Sequence, residues 1–426
     1  MDTVAGGNAG DGSRPPTGPT LTIDLDALER NYRRLLQAAA PGACGATVKA
    51  NAYGLGAAPV VERLRSAGCR HFFVATYDEA LAIRVAAGTA CIYVLGGLPA
   101  GLENEALRLG IRPVVNEAEQ LERWTAALHR VALRRRAPVQ IDTGMGRLGF
   151  DPREITLSAT LRRRLAEFPT AFWMTHLACA DDPAHPLNRH QVEAFGRVLA
   201  HLPQRPTSIG NSAGTLLGAP FCGDIARPGL ALYGGNPFED REVPLDTVVR
   251  LHGHVLQVRA AEAGDTVGYG GAHRVERSGR IATIQCGYAD GFPRAAWPGG
   301  AVAIQGVRVP IVGRVSMDAI MADISALPEA AVGPGTSVEI IGDTIGLRAF
   351  AAQAGTIEHE ALARLGRRLH RHYLGRTTAT RPSAGAPEPG CLPVPSVCRD
   401  APSGAAALYD RGHVTAEYFR DRVAGD

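Results

Sequence analysis

Short apolar segments alternate with amphipathic helical patterns from about residue 46 to residue 233. Segments rich in β-branched or aromatic residues recur near residues 46–49, 72–75, 91–95, 112–115, 138–142, 172–175, 207–210 and 229–233. Between most of them, apolar residues recur at helical spacing, as in Leu121, Trp124, Leu128 and Val131. Eight strands that alternate with helices over roughly two hundred residues are typical of a (β/α)8 barrel of the TIM type.

The pattern changes after residue 243. Alternating segments punctuated by glycine predict strands, and one late helix is predicted near residues 358–372. We therefore expect a barrel over residues 20–243, which opens with a strand near Thr20, followed by a mainly β C-terminal domain over residues 244–376. Residues 1–19 and 377–426 are rich in glycine, proline and other small residues, so mostly disordered tails are predicted there.

Charge and composition argue against several classes of function. The 45 Lys and Arg residues nearly balance the 42 Asp and Glu residues, which predicts no nucleic-acid surface. The chain has no long uncharged apolar run, and its first twenty residues lack the apolar core of a signal peptide, so no membrane segment and a cytoplasmic location are expected. The eight cysteines form no C-x-x-C pair, and we expect no metal site.

Lysine occurs once in the sequence, at Lys49, and arginine supplies every other basic residue of the 45. Arginine can replace a lysine that merely carries surface charge. It cannot replace an amine that must lose its proton and attack a carbonyl group. Lys49 follows the apolar residues Ala46-Thr47-Val48, so it is expected at the carboxyl end of a strand, where α/β folds place their chemistry.

The segment around Lys49, VKANAYGLG, resembles the lysine motif of alanine racemases, which bind pyridoxal phosphate. Other segments resemble motifs of the same family, in the same order: DTGMGRLG (142–149), NSAG (211–214), RPGLALYG (227–234), VGYG (267–270), GYADGFPR (287–294) and GRVSMD (313–318). The resemblance extends from about Thr20 to Tyr373. It implies a pyridoxal-phosphate-dependent racemase that interconverts L- and D-alanine and supplies D-alanine for cell-wall synthesis.

The resemblance implies that eight residues bind the cofactor: Lys49, Tyr53, His176, Ser212, Arg227, Gly229, Leu230 and His359. Ser212 and the backbone N–H groups of Gly229 and Leu230 would bind the phosphate. Arg227 would donate a hydrogen bond to the pyridine nitrogen, with His176 beside it. From residue type alone, Ser212 is equally an ordinary turn residue, and a lone histidine such as His176 is commonly a satisfied polar group.

Racemisation removes a proton from one face of a planar intermediate and returns one to the other, so it calls for two bases. By resemblance, Lys49 serves one face and Tyr269 serves the other. Tyrosine ionises only at high pH, so a nearby cation such as Arg147 is expected to help it lose its proton. Arg147 and the backbone N–H of Met317 would bind the substrate carboxylate. The family pairs lysine and tyrosine from different subunits, which implies a homodimer with shared active sites.

Three positions depart from the family pattern. Gln140 stands where many members have a carbamylated lysine, Leu55 replaces a histidine, and His359 replaces a phosphate-binding tyrosine. The shorter imidazole predicts a roomier pocket that tolerates side chains larger than methyl, serine first. A roomier pocket makes a racemase of serine or of broader range one alternative. A decarboxylase on the same plan and a non-catalytic pyridoxal-phosphate carrier are two others.

Overall fold

The computed structural model describes residues 18–131 and 135–375 of the 426-residue chain. The predicted tail over residues 377–426 lies outside the described residues, and so does the tail over residues 1–19 except for Gly18 and Pro19. No helix within the described ranges combines the length and the apolar character that a bilayer crossing requires.

The first half of the chain alternates strands and helices. Its elements are β1 (Thr20–Asp24), α1 (Leu25–Ala38), β2 (Ala43–Cys44), β3 (Ala46–Thr47), α2 (Lys49–Tyr53), α3 (Ala57–Ser66), β4 (His71–Val74), α4 (Tyr77–Ala87), β5 (Cys91–Val94), α5 (Glu103–Leu109), β6 (Ile111–Pro113), α6 (Ala118–Val131), β7 (Ala137–Gln140), α7 (Pro152–Leu157), α8 (Ala159–Glu167), β8 (Thr170–Met174), α9 (Pro186–Leu199), β9 (Thr207–Ser208), α10 (Ser212–Leu217) and β10 (Ile225–Ala226). A 3-10 helix, Leu230–Tyr233, follows.

The second half is mainly β. Its elements are β11 (Val249–Ala261), β12 (Thr266–Val267), β13 (His273–Arg274), β14 (Gly279–Gln285), β15 (Ala301–Ile304), β16 (Val307–Pro310), β17 (Ala319–Asp323), β18 (Ser337–Ile341), α11 (Leu347–Ala352), α12 (Glu358–Ala363) and β19 (His370–Leu374). Four short 3-10 helices occur at Tyr269–Gly271, Tyr288–Asp290, Arg294–Ala296 and Glu329–Ala331.

Parallel strands form a closed barrel within the described residues. Strands β3, β4, β5 and β6 pair in that order, as do β7, β8 and β9, and a bridge between Val115 and Val139 joins the two groups. Strand β10 pairs with β2, which continues into β3 across Gly45. The remaining gap is closed by the backbone N–H of Arg227, after β10, which donates to the carbonyl oxygen of Gly210, after β9, at 2.8 Å. Large buried side chains such as Phe73, Tyr93 and Phe172 pack together inside the barrel. The predicted barrel followed by a mainly β domain is confirmed.

The eighth barrel strand lies earlier than predicted. The sequence pattern predicted a strand at residues 229–233, whereas Leu230–Tyr233 is a 3-10 helix and the strand is β10. All four residues of the 3-10 helix are buried. A short apolar segment that is buried on every side has no polar face, so its pattern does not distinguish a strand from a helix.

Two further elements differ from expectation. Strand β1, expected with the barrel, pairs antiparallel with β11 and parallel with β19, so it belongs to the sheet of the second domain. Its alternation of buried and half-buried residues specifies two faces but no partner strand. The helix predicted over residues 358–372 ends at Ala363, and the chain returns as β19. Gly366 permits this return, because a Cβ there would lie 2.5 Å from the carbonyl oxygen of Ala289.

Candidate active site

Lys49 lies just after β3, at the start of a left-handed turn. The four residues that follow it, from Ala50 to Tyr53, all have φ between 52° and 55°. None of them is glycine, and a left-handed conformation costs an ordinary residue about 1–2 kcal/mol. Such a turn persists only where the surrounding structure holds it, and strained turns of this kind concentrate at functional sites.

Glu79 holds the beginning of this turn. One carboxylate oxygen accepts a hydrogen bond from the backbone N–H of Ala50 at 2.7 Å. The other accepts from the N–H of Ala75 at 2.8 Å, at the end of β4. Glu79 also completes a capping box with Thr76 at the start of α4. The carboxylate therefore ties the residue after Lys49 to the neighbouring strand of the barrel.

The second domain holds the other end of the turn. Arg371 of β19 donates to the carbonyl oxygen of Gly54 at 2.8 Å, and the hydroxyl of Tyr373 donates to that of Leu55 at 2.8 Å. Gly56 lies so close that a Cβ would be 2.1 Å from the Tyr373 hydroxyl oxygen. Leu55 is fully buried and packs in the main hydrophobic core. Both domains thus fix the segment that carries Lys49.

A group of polar atoms gathers at the same rim of the barrel. The hydroxyl of Ser212 accepts from the backbone N–H of Gly229 at 2.9 Å and from that of Ala231 at 3.2 Å. A Cβ on Gly229 would lie 2.2 Å from the hydroxyl oxygen of Tyr53, so glycine leaves the room that this hydroxyl occupies. Leu230 begins the 3-10 helix next to them. Hydroxyl groups and backbone N–H groups in this arrangement suit a phosphate.

Arg227 is a buried cation beside this group, with 4% of its surface exposed. Its two terminal nitrogens donate to the Ser208 hydroxyl at 2.5 Å and to the carbonyl oxygens of Thr175 at 2.7 Å and Ile209 at 3.3 Å. Burial lowers its pKa to about 9, so it remains charged at neutral pH. Within the described residues it forms no salt bridge, and its Nε–H has no acceptor. This donor is free to bind an acceptor on a ligand.

His176 packs against Arg227, with its Nδ1 3.2 Å from a terminal nitrogen of the guanidinium group. Burial lowers the pKa of His176 to about 3, and the positive charges of Arg227, Arg147 and Lys49 act in the same direction. The imidazole is therefore neutral at physiological pH. A neutral ring can accept a hydrogen bond from Arg227 at Nδ1 and so help to orient it.

The surroundings of Lys49 favour its neutral form. Burial lowers the pKa of its amine, the nearby Arg147 lowers it further, and the carboxylate of Glu79 opposes them. Desolvation of an amine increases the fraction that has lost its proton and is able to act as a nucleophile or a base. The amine can therefore exchange protons at a pH below the ordinary range of lysine.

Arg147 lies on the exposed loop that follows β7. The carboxylate of Asp142 shapes this loop by accepting four backbone N–H groups, those of Gly144, Met145, Gly146 and Arg147. Gln140 donates to the carbonyl oxygen of Leu148 at 2.7 Å. At this departure from the family pattern, the amide therefore fixes the loop backbone and does not bind the Arg147 side chain.

His359 reaches the same rim from α12 of the second domain. Its ring centroid lies 5.9 Å from that of Tyr53, and Tyr53 also packs on Tyr233 at 4.8 Å. Partial burial lowers the pKa of His359, as does the positive charge of Lys49, whereas Asp181 raises it. The structure thus brings His359 together with Tyr53 and Lys49, as the sequence predicted.

Tyr269 and Met317 lie elsewhere on the second domain. Their side chains are 68% and 51% exposed, and no hydrogen bond, ring contact or salt bridge of the described residues joins them to Lys49. The loop of Met317 is held in place by Asp318, which binds Arg368 at 2.6 Å, and Arg368 also binds the buried Asp290. Within the described part of one chain, Tyr269 and Met317 therefore make no such contact with Lys49.

The sequence interpretation missed the residues that hold the lysine turn: Glu79, Arg371 and Tyr373. For Glu79 a local signal existed, since Thr76 and Glu79 have the spacing of a capping box. That signal predicts a helix start but not the contact with Ala50. For Arg371 and Tyr373 no local signal exists, because their partners are more than 300 residues away.

Comparison with known proteins relates this geometry to a family. The family model described as alanine racemase, N-terminal domain, matches residues 23–237, and that described as alanine racemase, C-terminal domain, matches residues 248–373. A catabolic alanine racemase of Mesorhizobium japonicum is 45% identical over 368 residues, which are 85% of this chain and 95% of the relative. An alanine racemase of Rhodospirillum rubrum is 44% identical over 357 residues, 83% of this chain and 96% of the relative.

Solved structures are similar as well. The crystal structure of alanine racemase from Bartonella henselae with covalently bound pyridoxal phosphate has a TM-score of 0.80 and 39% identity, and the match covers 84% of this chain and 100% of that one. The biosynthetic alanine racemase of Pseudomonas aeruginosa has a TM-score of 0.77 and 36% identity, with 84% and 99% covered.

Proposed function

The chain belongs to the alanine racemase family, and from this premise we propose that it uses pyridoxal phosphate and two bases to interconvert L- and D-alanine. One observation carries the proposal. The only lysine of the sequence has a desolvated amine, and it shares a barrel rim with a buried arginine, Arg227, that forms no salt bridge with the described residues, and with a group of hydroxyl and N–H groups. The amine would combine with the carbonyl of the cofactor, the arginine would face its ring nitrogen, and the hydroxyl and N–H groups would bind its phosphate.

The residues present fit the cofactor. Ser212, the N–H groups of Gly229 and Leu230, the hydroxyl of Tyr53 and a ring nitrogen of His359 would hold the phosphate, and the absence of a side chain at Gly229 leaves room for the Tyr53 hydroxyl. Bound pyridoxal phosphate supplies a carbonyl that combines with amines and a ring that withdraws electrons from the α-carbon of an amino acid.

Arg227 would limit how strongly the cofactor ring withdraws electrons from the α-carbon. Its Nε–H is the donor left over after the terminal nitrogens have bound Ser208, Thr175 and Ile209. A guanidinium group donates hydrogen bonds and accepts none, so the ring nitrogen that it faces stays unprotonated and draws less charge. His176 would hold the guanidinium group in this orientation. Limited withdrawal suits a racemase, because it shortens the time available for side reactions.

Two proton-transfer groups would act on opposite faces of the α-carbon. Lys49 exchanges the proton on one face through its Nζ, and Tyr269 of the partner subunit exchanges it on the other through its hydroxyl oxygen. Arg147 would bind the substrate carboxylate and favour the ionised tyrosine, and the N–H of Met317 would also bind the carboxylate. A homodimer is proposed because the family pairs these residues across subunits, and because Tyr269 and Met317 are exposed and, within the described residues, make no hydrogen bond, ring contact or salt bridge with the Lys49 of their own chain.

The first experiment is chiral analysis of L-alanine and L-serine incubated with the purified protein and pyridoxal phosphate. We expect D-alanine to form with wild type, and Tyr269→Phe to lower the rate by about 10²–10⁴-fold while the protein still binds the cofactor. A variant of an exposed tyrosine outside the proposed pair of bases, Tyr288→Phe, serves as the matched control. Cofactor binding without racemisation of either amino acid would leave a carrier, and release of CO2 would indicate a decarboxylase.

Mixing two inactive variants tests the shared active site. In a dimer of Lys49→Ala with Tyr269→Phe, one site loses both bases and the other keeps both. After subunit exchange, the mixture is therefore expected to recover about one quarter of the wild-type activity. If each site took both bases from one chain, every site would lack a base and no activity would return.

D-alanine formed by the reaction would supply cell-wall precursors, as the family resemblance implies. The relative from Mesorhizobium japonicum is described as catabolic, which makes breakdown of D-alanine the alternative. Deletion of the gene in its source organism separates the two roles. A requirement for added D-alanine supports cell-wall supply, whereas normal growth combined with failure to use alanine as a nitrogen source supports catabolism.

A further inference from the structure

The peptide group between Lys49 and Ala50 is the first group of the strained turn. Its N–H, on Ala50, donates to Glu79 at 2.7 Å. This peptide plane fixes the backbone ψ angle of Lys49 and therefore the direction of its side chain. Because residues 50–53 all have positive φ, the turn has no intrinsic preference for this conformation and depends on outside contacts to keep it.

Glu79 is itself rigidly held. Its second oxygen binds the N–H of Ala75 at the end of β4, and its own backbone N–H donates to the Thr76 hydroxyl at 3.3 Å. The side chain is half-buried between α4 and the lysine turn. A carboxylate with both oxygens bound to backbone groups has little freedom to rotate, so it can act as a fixed brace.

We propose that Glu79 is a positioning residue, whose carboxylate fixes the Lys49–Ala50 peptide and so aims the lysine amine into the active site. The proposal rests on the proposed function insofar as this amine is the reacting group. Glu79 also acts on the charge of the amine. The other groups that face Lys49 are Arg147, His176 and His359, and Glu79 is the acidic one among them.

The substitution Glu79→Gln tests the proposal. It removes the negative charge and leaves a single acceptor oxygen for the three N–H groups of Ala50, Ala75 and Thr76. The matched control is Thr76→Ala, which removes the hydroxyl that accepts from Glu79 N–H but leaves the carboxylate on Ala50. A merely structural role at the start of α4 would appear in both variants, whereas a role in positioning Lys49 would appear only in Glu79→Gln.

The composition of the chain makes the reacting amine directly measurable. Lys49 is the only lysine, so acetic anhydride applied to the full-length protein freed of cofactor acylates one side-chain amine. Peptide mass spectrometry separates that product from the acylated α-amine of the N-terminus. Since only the neutral amine reacts, the labelling rate plotted against pH has its midpoint at the pKa of Lys49. Circular dichroism of each variant verifies that it is folded.

We expect the labelling midpoint of Glu79→Gln to lie about half a pH unit or more below that of wild type, because the charge that raises the pKa of Lys49 is gone. In the cofactor-loaded enzyme, kcat should fall about tenfold while KM changes less than threefold. Thr76→Ala should match wild type in midpoint and stay within twofold in kcat. Equal kcat for Glu79→Gln and Thr76→Ala would overturn the proposal.

Two further outcomes remain interpretable. If Glu79→Gln does not fold, Glu79→Asp replaces it, because the shorter side chain keeps the charge but cannot reach both Ala50 and Ala75. A tenfold loss of kcat in Glu79→Asp then supports positioning, and unchanged kcat opposes it. If wild type racemises no amino acid, the proposed function fails, whereas the comparison of labelling midpoints still decides whether Glu79 acts on Lys49.

Discussion

A methyl group at residue 229 would test whether the space beside Tyr53 is needed. The Cβ of Gly229→Ala would lie 2.2 Å from the Tyr53 hydroxyl oxygen and 3.0 Å from the ring carbon that bears it. Tyr53 is buried and packs between Tyr233 and His359, with ring centroids 4.8 Å and 5.9 Å away. The tyrosine therefore has little room to retreat from the added methyl group.

The expected losses of stability and of cofactor affinity follow from this overlap. Gly229 has a φ of −126°, which is not left-handed, and the effect expected here is the overlap of the added methyl group with Tyr53. The hydroxyl oxygen must retreat by roughly 1 Å in a closely packed region, and overpacking of this kind costs about 1–3 kcal/mol of unfolding free energy. The same displacement takes the hydroxyl away from the expected phosphate position. Affinity for pyridoxal phosphate should fall about tenfold or more.

Urea unfolding and an absorbance titration with pyridoxal phosphate measure the two effects separately. Gly333→Ala is the matched control, because no atom lies within 4 Å of its added Cβ and its φ is not left-handed. The double variant Gly229→Ala/Tyr53→Phe removes the clashing oxygen, so it should regain much of the lost stability but not the affinity. If Gly229→Ala equals Gly333→Ala in both measurements, the steric reasoning is refuted.

Two other predictions concern histidines. The unfolded chain protonates His176 near pH 6.5 but the folded chain only near pH 3, so stability is lost as pH falls through this window, by up to about 1.4 kcal/mol per pH unit. His176→Gln should flatten the dependence of unfolding free energy on pH there, and the exposed His129→Gln should not; equal slopes would contradict the assignment. His359→Tyr should narrow the pocket and lower kcat/KM for serine about tenfold relative to alanine. Equal losses for both amino acids would remove the argument for a roomier pocket.

Much of the fold and of the site follows from local features of the sequence. The alternation of apolar segments and helical patterns predicted the barrel, since each strand and helix buries its own apolar face. The position of Lys49 after a strand placed its amine at the rim, because all parallel strands of a barrel end on the same side. The predicted neighbours Ser212 and Arg227 follow other strands, β9 and β10, and they do lie at this rim.

Other features were decided by the tertiary structure. The pattern of β1 defined its two faces, but its partners, β11 and β19, are distant in sequence. The apolar residues from Leu230 to Tyr233 fit a buried strand as well as the 3-10 helix that they form. In each case the local residues permit more than one structure, and packing against distant elements selects one of them.

The same distinction applies to the lysine turn. The sequence alone marks Lys49 as chemically special, because composition and position along a strand are properties of the chain itself. It does not disclose that Ala50 to Tyr53 adopt a left-handed conformation, which these residue types disfavour. That conformation exists because Glu79, Arg371 and Tyr373 converge on the turn from α4 and β19. Only the folded chain brings these contacts together, and their combined hydrogen bonds offset the local strain.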